Sequence, residues 1–580
     1  MLSHTVLRAS RRGLRKVHTA ARARLGRAEV TVGTVAATLA LGVTAYGVLT
    51  SSEIYNDAES ANTKTETTLR SLEPTTVTNV DGNSVLQTVG WGTNRSNVLS
   101  LDAAEGADIV VPTSLRFLEG VALRDLALHG HHGACVDARG DVYQWGLGFF
   151  GGNDHAGNQR PTRTLKGKNI IKLQATDSRV FALSSSGQVY VVSAKHNKVS
   201  SAGISGWLWG ERGDSDAVEL ETAQKLVWGE KIVDLAAGRD HLLALTSSGR
   251  TFALPVTLKA NSHGQLGFRK IDIPSPSSKE RIAGELTPLA VVDPYANASR
   301  FSRRLSTSSS DDLRPVSESL RGLDDSSIHW SNRLFEIPAL RSVRVAGIAA
   351  GARSSYARSD NGRVLAWGAN DHGQLGLRNT VLGDTVTVPT EVVFPHDTSC
   401  TSVAAGGDLA FFSTEKRDGT GIVTTELYAC GDGRYGGLGN AIFTSAQATP
   451  ARTRAVSGLL EYSEANGNLQ PISARALSVS ADGHILCTLD TRSRAGPGGG
   501  GMDLLAWGNN YEHQLGNGKR ASVAVPESVV AKPGGARYML HEMKAREVRD
   551  LQGKVWGRYV KVEQVAYAGM GTSVVYWKLV

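Results

Sequence analysis

The chain has 580 residues, of which 41% are hydrophobic and 20% are charged, a balance that supports a folded core and excludes a wholly disordered protein. Its four cysteines, with no Cys-x-x-Cys pair, exclude a disulfide scaffold and a zinc ribbon. The formal net charge is +8, but residues 1–28 hold eight Lys/Arg and no acid, and removing those eight leaves 55 basic against 55 acidic residues. A neutral remainder argues against nucleic acid as a partner.

The first 82 residues predict a targeting signal, a membrane span and a tether. Residues 1–28 are rich in arginine and lack acids, which is typical of a mitochondrial transit peptide. Residues 30–49 carry no charge and would span about 30 Å as a helix, so we expect a transmembrane helix within residues 29–50. Positive charges flank only its N-terminal side, which predicts an inner-membrane protein whose later residues face the intermembrane space, with residues 51–82 as a polar tether.

Two alternatives remain open for this region. A long cleaved presequence would leave a soluble protein. A type II protein of the secretory pathway would instead expose two potential glycosylation sites, Asn94-Arg-Ser96 and Asn297-Ala-Ser299.

Two motifs recur in the same order from residue 84 to the C-terminus. The first is an apolar strand, a glycine turn, a second apolar strand, a Ser/Gly turn and a third strand, as in residues 234–252. The third strand ends in Trp-Gly or Cys-Gly in five copies: Trp91-Gly92, Trp145-Gly146, Trp367-Gly368, Cys430-Gly431 and Trp507-Gly508. The second motif contains Gln-Leu-Gly and follows in residues 261–267, 370–376 and 510–516, with weaker forms at 148–152 and 433–439.

These units predict an all-β, seven-bladed β-propeller. A sheet of about four short strands cannot bury both of its faces, whereas sheets arranged radially can. Seven copies start near Arg124, Ile171, Asp234, Ala346, Thr401, Ser478 and Val565. The last copy lacks its third strand, which stands at the other end as residues 85–92, so pairing of the two termini would close the ring. We expect each tryptophan to fill the space between neighbouring blades.

The two motifs together resemble the regulator of chromosome condensation repeat, a family of seven-bladed propellers, over roughly residues 84–580. With the targeting signal and span, the chain is similar to fungal mitochondrial inner-membrane members of this family. Those members are implicated in assembly of respiratory complex III, the cytochrome bc1 complex. The founding member exchanges nucleotide on a small nuclear GTPase, and animal mitochondrial relatives are linked to a dynamin-like GTPase and to the mitochondrial ribosome.

Uneven repeat spacing predicts insertions. The largest, at about residues 271–335, is polar and rich in serine, and a glycine-rich insertion at 491–503 splits one blade. A short helix is expected within residues 536–550, before the last blade.

Motifs with a chemical function are absent or explained by the repeat. Gly146-Leu-Gly148-Phe-Phe-Gly151 matches a dinucleotide fingerprint, but residues 152–161 read as a loop where a helix is required. Gly516-Asn-Gly518-Lys519 resembles the end of a phosphate loop, but Arg520 replaces Ser/Thr. No nucleophile elbow or zinc-protease helix occurs. We therefore expect no enzyme, no catalytic or metal-binding residue and no cofactor.

The remaining candidate residues have structural interpretations. The histidines lie beside turns or inside the second motif, and the cysteines lie near predicted strands, so both groups are expected to be structural: His131, His132, His241, His263, His372, Cys135, Cys400, Cys430 and Cys487. Arg303-Arg304-Leu-Ser306 fits a basophilic kinase, a pattern that occurs often by chance.

The sequence thus favours a membrane-tethered interaction or assembly factor. Expected partners are subunits or assembly intermediates of complex III and the inner membrane through residues 30–49; the binding face is unassigned. The alternatives are a nucleotide exchange factor or regulator of a mitochondrial GTPase, and a ribosome assembly factor.

Overall fold

A computed structural model describes residues 85–580, except 102–107, 152–159, 197–216, 258, 269–270, 275–288, 293–331, 379–382, 384, 418–422, 464–466, 492–500 and 532–534. The chain divides into two units, Met1–Tyr55 and Asn56–Val580. The predicted transit peptide, span and tether lie outside the described residues. Within the described residues, no helix is long and apolar enough to cross a membrane.

The described part is built almost entirely of strands, which form seven radial sheets. The first two strands belong to the last sheet: β1 (Val89–Gly92) and β2 (Ile109–Ser114). Blade 1 consists of β3 (Asp125–Leu128), β4 (Gly133–Val136), β5 (Val142–Trp145) and β6 (Thr162–Leu165), with one helical turn, α1 (Leu147–Phe150), after β5. Blade 2 consists of β7 (Ile170–Ala175), β8 (Arg179–Ser184), β9 (Val189–Ser193) and β10 (Val218–Glu219).

Blades 3 and 4 follow the same order. Blade 3 contains β11 (Glu221–Thr222), β12 (Ile232–Ala237), β13 (His241–Thr246), β14 (Thr251–Pro255) and, after the separate pair β15 (Ile271–Pro274) and β16 (Leu289–Val292), β17 (Arg333–Glu336). Blade 4 consists of β18 (Val345–Ala350), β19 (Ser354–Ser359), β20 (Val364–Gly368) and β21 (Val386–Val392). Short 3₁₀ turns at Arg116–Leu118 and Pro338–Leu340 precede blades 1 and 4.

The last three blades carry the longest strands. Blade 5 consists of β22 (Thr398–Gly406), β23 (Leu409–Arg417), β24 (Val423–Gly433) and β25 (Thr444–Arg452), followed by the hairpin of β26 (Leu460–Ser463) and β27 (Asn468–Pro471). Blade 6 consists of β28 (Ala474–Val479), β29 (His484–Leu489), β30 (Met502–Gly508) and β31 (Val523–Ser528), with β32 (Met539–Leu540) beside β30. Blade 7 joins β33 (Glu542–Arg549), β34 (Val555–Ala568) and β35 (Thr572–Leu579) to β1 and β2.

The two ends of the propeller close the ring, as the repeat pattern predicts. Strand β1 pairs antiparallel with β35 from Val89 opposite Val575 to Gly92 opposite Thr572. The N-terminal strand thus becomes the third strand of blade 7 and covers an edge that would otherwise be open. The prediction of a seven-bladed propeller is confirmed.

The core lies between the blades. Seven clusters of buried side chains each contain residues of two neighbouring blades, so every blade packs against both of its neighbours. The Trp-Gly tryptophans are at most 1% exposed. Each of their indole N–H groups donates to a carbonyl of the preceding blade, as Trp367 does to Gln265 at 2.9 Å and Trp507 to Gly437 at 2.8 Å. The expectation that these side chains fill the space between blades is confirmed.

The glycine after each tryptophan is a conformational requirement. Gly368 has φ +112°, and a Cβ there would lie 2.9 Å from the Cα of Ser354 in the adjacent strand. Cys430-Gly431 follows the same rule, with φ +112° at Gly431, and the Cys430 thiol contacts the Gln374 carbonyl at 3.1 Å in the place of an indole. The positive φ and the closeness of the neighbouring strand therefore require glycine at this position, which is why glycine follows the Trp or Cys in each copy.

The propeller has two faces with different content. We define the motif face as the one that carries the turns between the first and second strands of each blade and the Gln-Leu-Gly loops. The back face carries the turns between the second and third strands and the links between blades. Because third strands run from the back face to the motif face, the chain reaches the propeller on the back face, at Leu86.

The structure corrects one prediction and refines another. Residues 536–550 contain β32 and β33, so the expectation of a helix is wrong; Glu542–Arg549 pairs with β34 along its length. Within the range 271–335, β15 pairs with β16, and Arg333–Glu336 is an outer strand of blade 3.

Candidate interaction surface

Buried polar contacts below the motif face connect neighbouring blades. The Ser355 hydroxyl of blade 4 donates to the Gln265 carbonyl of blade 3 at 2.7 Å and lies 2.8 Å from Nε2 of His241. Blades 6 and 7 repeat the arrangement, with Ser573 against Gln514 at 2.8 Å and His484 at 3.1 Å. In both places the glutamine carbonyl of the Gln-Leu-Gly motif accepts a hydrogen bond from a serine of the next blade. These bonds hold the loops of the motif face in one conformation.

Asp482 is the most highly connected group of this network. Its carboxylate accepts hydrogen bonds from Nδ1 of His484 at 2.7 Å, from the Gln514 amide at 2.9 Å and from the Gly571 backbone N–H at 2.9 Å. Burial opposes its ionisation, but His484 and the hydrogen-bond donors outweigh burial and hold the pKa of Asp482 below its ordinary value. The carboxylate therefore joins blades 6 and 7 as a structural anion.

An ion cluster joins three blades on the motif face. The Arg353 guanidinium lies 2.7 Å from Asp371 and 3.7 Å from Asp408, and 3.3 Å from Nε2 of His263. Burial and the neighbouring Arg353 lower the pKa of His263. One guanidinium therefore faces two carboxylates, so the cluster keeps a single net negative charge when His263 is neutral.

Four exposed apolar side chains lie on the motif face of blades 5 and 6. Tyr435 and Tyr511 are 37% and 57% exposed and meet edge to face with ring centroids 5.5 Å apart. Ile442 and Phe443 are 55% and 57% exposed. The loop residues next to Tyr435 and next to Ile442 both contact Ala524 of blade 6. The Ala441 N–H donates to the Ala524 carbonyl at 2.9 Å, and Gly436 lies against the Ala524 Cα.

We call Tyr435, Ile442, Phe443 and Tyr511 the apolar patch. Rigid aromatic side chains on a preorganised surface are what protein interfaces use as anchors. The flanking charges are satisfied locally, since Arg434 pairs with Asp432 at 2.5 Å and Arg95 pairs with Glu512 at 2.9 Å. Sequence reasoning missed the patch because its members lie on separate loops, although the aromatic residues within two copies of the second motif were a signal.

The candidate histidines have structural positions. His132 and His241 occupy equivalent sites, since the backbone N–H of His129 bonds to His132 and that of Gly238 bonds to His241. Burial lowers the pKa of both to about 3, helped at His132 by its neighbours His129 and His131. His372 contacts the Ser445 carbonyl at 2.9 Å.

The structure places the cysteines and the nucleotide-like motifs as follows. All four cysteines are buried free thiols whose pKa values burial raises, to about 12 at Cys400 and Cys487. Leu147–Phe150 forms only one helical turn after Gly146, too short for a dinucleotide-binding helix. Across the described residues no cluster of three or more His, Cys, Asp or Glu side chains could hold a metal ion. The Arg303-Arg304-Leu-Ser306 motif and Asn297 lie outside the described residues.

Family models match the middle of the propeller. Two models of the regulator of chromosome condensation (RCC1) repeat match residues 361–412 and 345–374, which form blade 4 and the start of blade 5. The chain therefore carries repeats of this family, as the two motifs predict.

The curated relatives include two proteins whose names place them in mitochondria. Protein pim1 of Schizosaccharomyces pombe is 27% identical over 51% of this chain and 56% of its own length, so the match spans about half of that relative. The RCC1 domain-containing protein RUG3, mitochondrial, of Arabidopsis thaliana is 25% identical over 68% of this chain and 71% of its own. Protein FMP25, mitochondrial, of Saccharomyces cerevisiae is 21% identical over 84% of this chain and 73% of its own.

Two further likenesses concern exchange factors and the fold. The guanine nucleotide exchange factor SRM1 of Saccharomyces cerevisiae is 23% identical over 59% of this chain and 63% of its own. The crystal structure of Prp20p from the same yeast, described with its binding to Gsp1p and histones, superposes with a TM-score of 0.51 at 18% identity. That superposition covers 88% of this chain and 93% of Prp20p, and it supports the fold alone.

Proposed function

We propose that this chain, which carries regulator of chromosome condensation repeats, is a non-catalytic assembly factor tethered to the mitochondrial inner membrane. Its propeller would hold a protein partner on the motif face, and the partner class is a subunit or assembly intermediate of respiratory complex III. The observation that carries the proposal is the apolar patch, a set of exposed aromatic and aliphatic side chains on a face that the inter-blade network keeps rigid.

Two mitochondrial relatives support the location. RUG3 and FMP25 are both mitochondrial proteins, and the match to FMP25 extends over 84% of this chain. A span at residues 30–49 would confine the propeller to the membrane surface and raise its effective concentration near membrane-bound partners. The assignment to complex III rests on the resemblance to fungal mitochondrial members.

The mechanism is retention without chemistry. Truncation of a buried interface tyrosine typically costs about 1–4 kcal/mol of binding free energy, because the aromatic area returns to water. Two or three such anchors on the apolar patch are enough to hold an intermediate while another subunit is added, and a modest affinity allows its release.

The test uses cells that lack the gene and express variants of the full chain. We expect the double variant Phe443→Ser/Tyr511→Ser to accumulate normally, since both side chains are exposed, but to leave mature complex III selectively reduced on a native gel. The matched control is Tyr462→Ser, which removes a tyrosine with 59% exposure on the back-face hairpin of blade 5. Full rescue by the double variant would contradict the assignment of the patch, and normal complex III in cells without the gene would contradict the function.

A second candidate function is nucleotide exchange on a mitochondrial GTPase. The relative SRM1, an exchange factor, favours it. The purified full chain would then speed release of a fluorescent guanine nucleotide from mitochondrial GTPases. A broad loss of all complexes with mitochondrially encoded subunits in the null cells would instead support ribosome assembly.

A further inference from the structure

The back face carries a hairpin that no part of the repeat explains. Strands β33 and the first half of β34 pair from Glu542 opposite Glu563 to Arg549 opposite Val555, beyond the region where β34 joins β35. Its inner side packs on a separate small core that includes Leu86, Ala138 and Trp577. The Asp550 carboxylate in its turn accepts a hydrogen bond from Arg139 of blade 1 at 2.8 Å. The hairpin is therefore held firmly against blades 7 and 1.

The outer side of this hairpin is basic and aromatic. Its exposed charged residues are all Lys or Arg: Lys544, Arg546, Arg549, Lys554, Arg558 and Lys561. Its four acidic residues are buried or half-buried, and each faces a cation. Asp550 faces Arg139, Glu547 faces Arg549, Glu563 faces Arg475, and Glu542 faces both Arg475 and Lys561. Between the basic residues, Trp556 and Tyr559 are 38% and 73% exposed.

A third exposed aromatic residue, outside the hairpin, belongs to the same face. Trp228 is fully exposed and its neighbour Val227 is 67% exposed, in the link between blades 2 and 3. The turn that carries them is rigid, since the Glu230 N–H donates to the Val227 carbonyl at 2.9 Å and the Glu230 carboxylate accepts from the Val227 N–H at 2.8 Å. An exposed indole on a rigid turn costs no ordering entropy when it inserts into an interface.

The chain reaches the propeller beside the hairpin. The Gly120 N–H donates to the Leu86 carbonyl at 2.8 Å, and the Gly120 carbonyl accepts from the Arg549 N–H at 3.0 Å. One residue thus separates the first described segment from the hairpin. The predicted tether, residues 51–82, and the predicted span, residues 30–49, precede that segment in the sequence, so the chain enters the propeller on the face that carries the hairpin.

We propose that the hairpin docks on the surface of an anionic phospholipid bilayer, with Trp556 and Tyr559 at the level of the headgroups and its lysines and arginines against their phosphates. Trp and Tyr prefer the membrane–water interface, and clustered basic residues bind anionic lipids. The inference deepens the proposed function, because it rests on a membrane tether and leaves the motif face directed away from the bilayer.

Other charges limit the docked area to one side of the back face. Exposed charges of both signs occupy the back-face turns and links of blades 4 to 6, with Asp360, Asp397 and Asp490 beside Arg344, Arg363 and Arg417, so no uniformly basic surface forms there. Near the hairpin, Glu119 is an exposed acid at its margin. The contact therefore centres on blade 7 and tilts the propeller, with Trp228 as the second point of insertion. An anionic bilayer is favoured over nucleic acid because the predicted span at residues 30–49 would already bring the chain to a membrane.

The experiment reconstitutes the full chain into vesicles of equimolar phosphatidylcholine and phosphatidylglycerol with brominated acyl chains, which quench nearby tryptophans. We expect the quenching of tryptophan fluorescence to be smaller in Trp556→Phe than in the unchanged chain. This difference between the two proteins should be absent in vesicles of phosphatidylcholine alone. Lys554→Gln/Arg558→Gln should lower the ratio of docked to undocked protein about fivefold per residue removed. The matched control, Arg239→Gln/Lys519→Gln, removes two exposed basic residues of the motif face and should leave the quenching unchanged.

Several results would overturn the proposal. These are equal quenching in Trp556→Phe, equal quenching without anionic lipid, or an equal effect of the motif-face control. Single-stranded RNA bound through Lys554 and Arg558, without lipid quenching, would assign the hairpin to nucleic acid instead. Failure of the tether is scored separately: alkaline carbonate would then extract the chain from the vesicles. Failure of the assembly function appears only on the native gel of null cells.

Discussion

Replacement of Trp91 by alanine tests whether the closing strand holds the ring together. The Trp91 side chain is fully buried between blades 6 and 7, and its indole N–H donates to the Gln514 carbonyl at 2.6 Å. That carbonyl also accepts from the Ser573 hydroxyl at 2.8 Å, so Trp91→Ala leaves no buried acceptor without a donor. The cost is then the cavity and the lost apolar contact, about 3–5 kcal/mol.

The assay is urea unfolding of the purified full chain, followed by circular dichroism. The matched control is Trp228→Ala, the same substitution at a fully exposed tryptophan, which should change the free energy of unfolding by no more than about 0.5 kcal/mol. Equal midpoints for the two variants would refute the reasoning that β1 is an integral strand of blade 7.

Two other substitutions test buried polar groups. Burial lowers the pKa of His241 to about 3, below the 6.5 of an unfolded chain, so the unfolded state takes up a proton first as the pH falls, and stability present above pH 6.5 is lost towards pH 3. Between about pH 7 and pH 5 this residue should lower the free energy of unfolding by about 2 kcal/mol. In His241→Gln this part of the pH dependence should disappear when thermal unfolding is compared at the two pH values. An unchanged pH dependence in the variant would contradict the prediction. Arg250 pairs with the nearly buried Glu230 and Glu336 at 3.0 and 2.9 Å. Arg250→Met should therefore lower the free energy of unfolding in urea by about 3 kcal/mol, whereas Arg434→Met, at an exposed ion pair, should lower it by less than about 1 kcal/mol. Equal losses in the two variants would show that the buried carboxylates do not depend on Arg250.

The helix expected within residues 536–550 shows where local reading of the sequence fails. This segment contains many good helix formers, such as Met, Leu, Glu, Lys and Ala. In the structure Ala545 and Val548 face the small core beneath the hairpin while Lys544 and Arg546 face outward. Pairing with β34 decides the conformation, and that partner strand belongs to the next repeat, so propensity alone could not reveal it.

The network around Asp482 was likewise beyond the sequence. Asp482 aligns with the turn positions of the repeat, where other copies carry glycine, threonine or histidine. His484 is only two residues away in the sequence, but only the fold brings Gln514, from the second-motif loop of blade 6, and Gly571, from a turn of blade 7, to the same carboxylate. A residue that departs from its repeat can indicate such a network, but it does not name the partners.

The sequence by itself determined the fold of this protein. Each Trp-Gly and Gln-Leu-Gly copy is a local signal, seven copies set the blade number, and the missing strand at one end matched the spare strand at the other. Only the folded ring brings together the residues of the two surfaces on which we propose that a partner and a membrane dock. The apolar patch joins residues 435, 442, 443 and 511, and the hairpin lies beside residue 86 although it begins at residue 542. Surfaces of this kind come from loops of different blades, and distances between such loops exist only once the ring is closed.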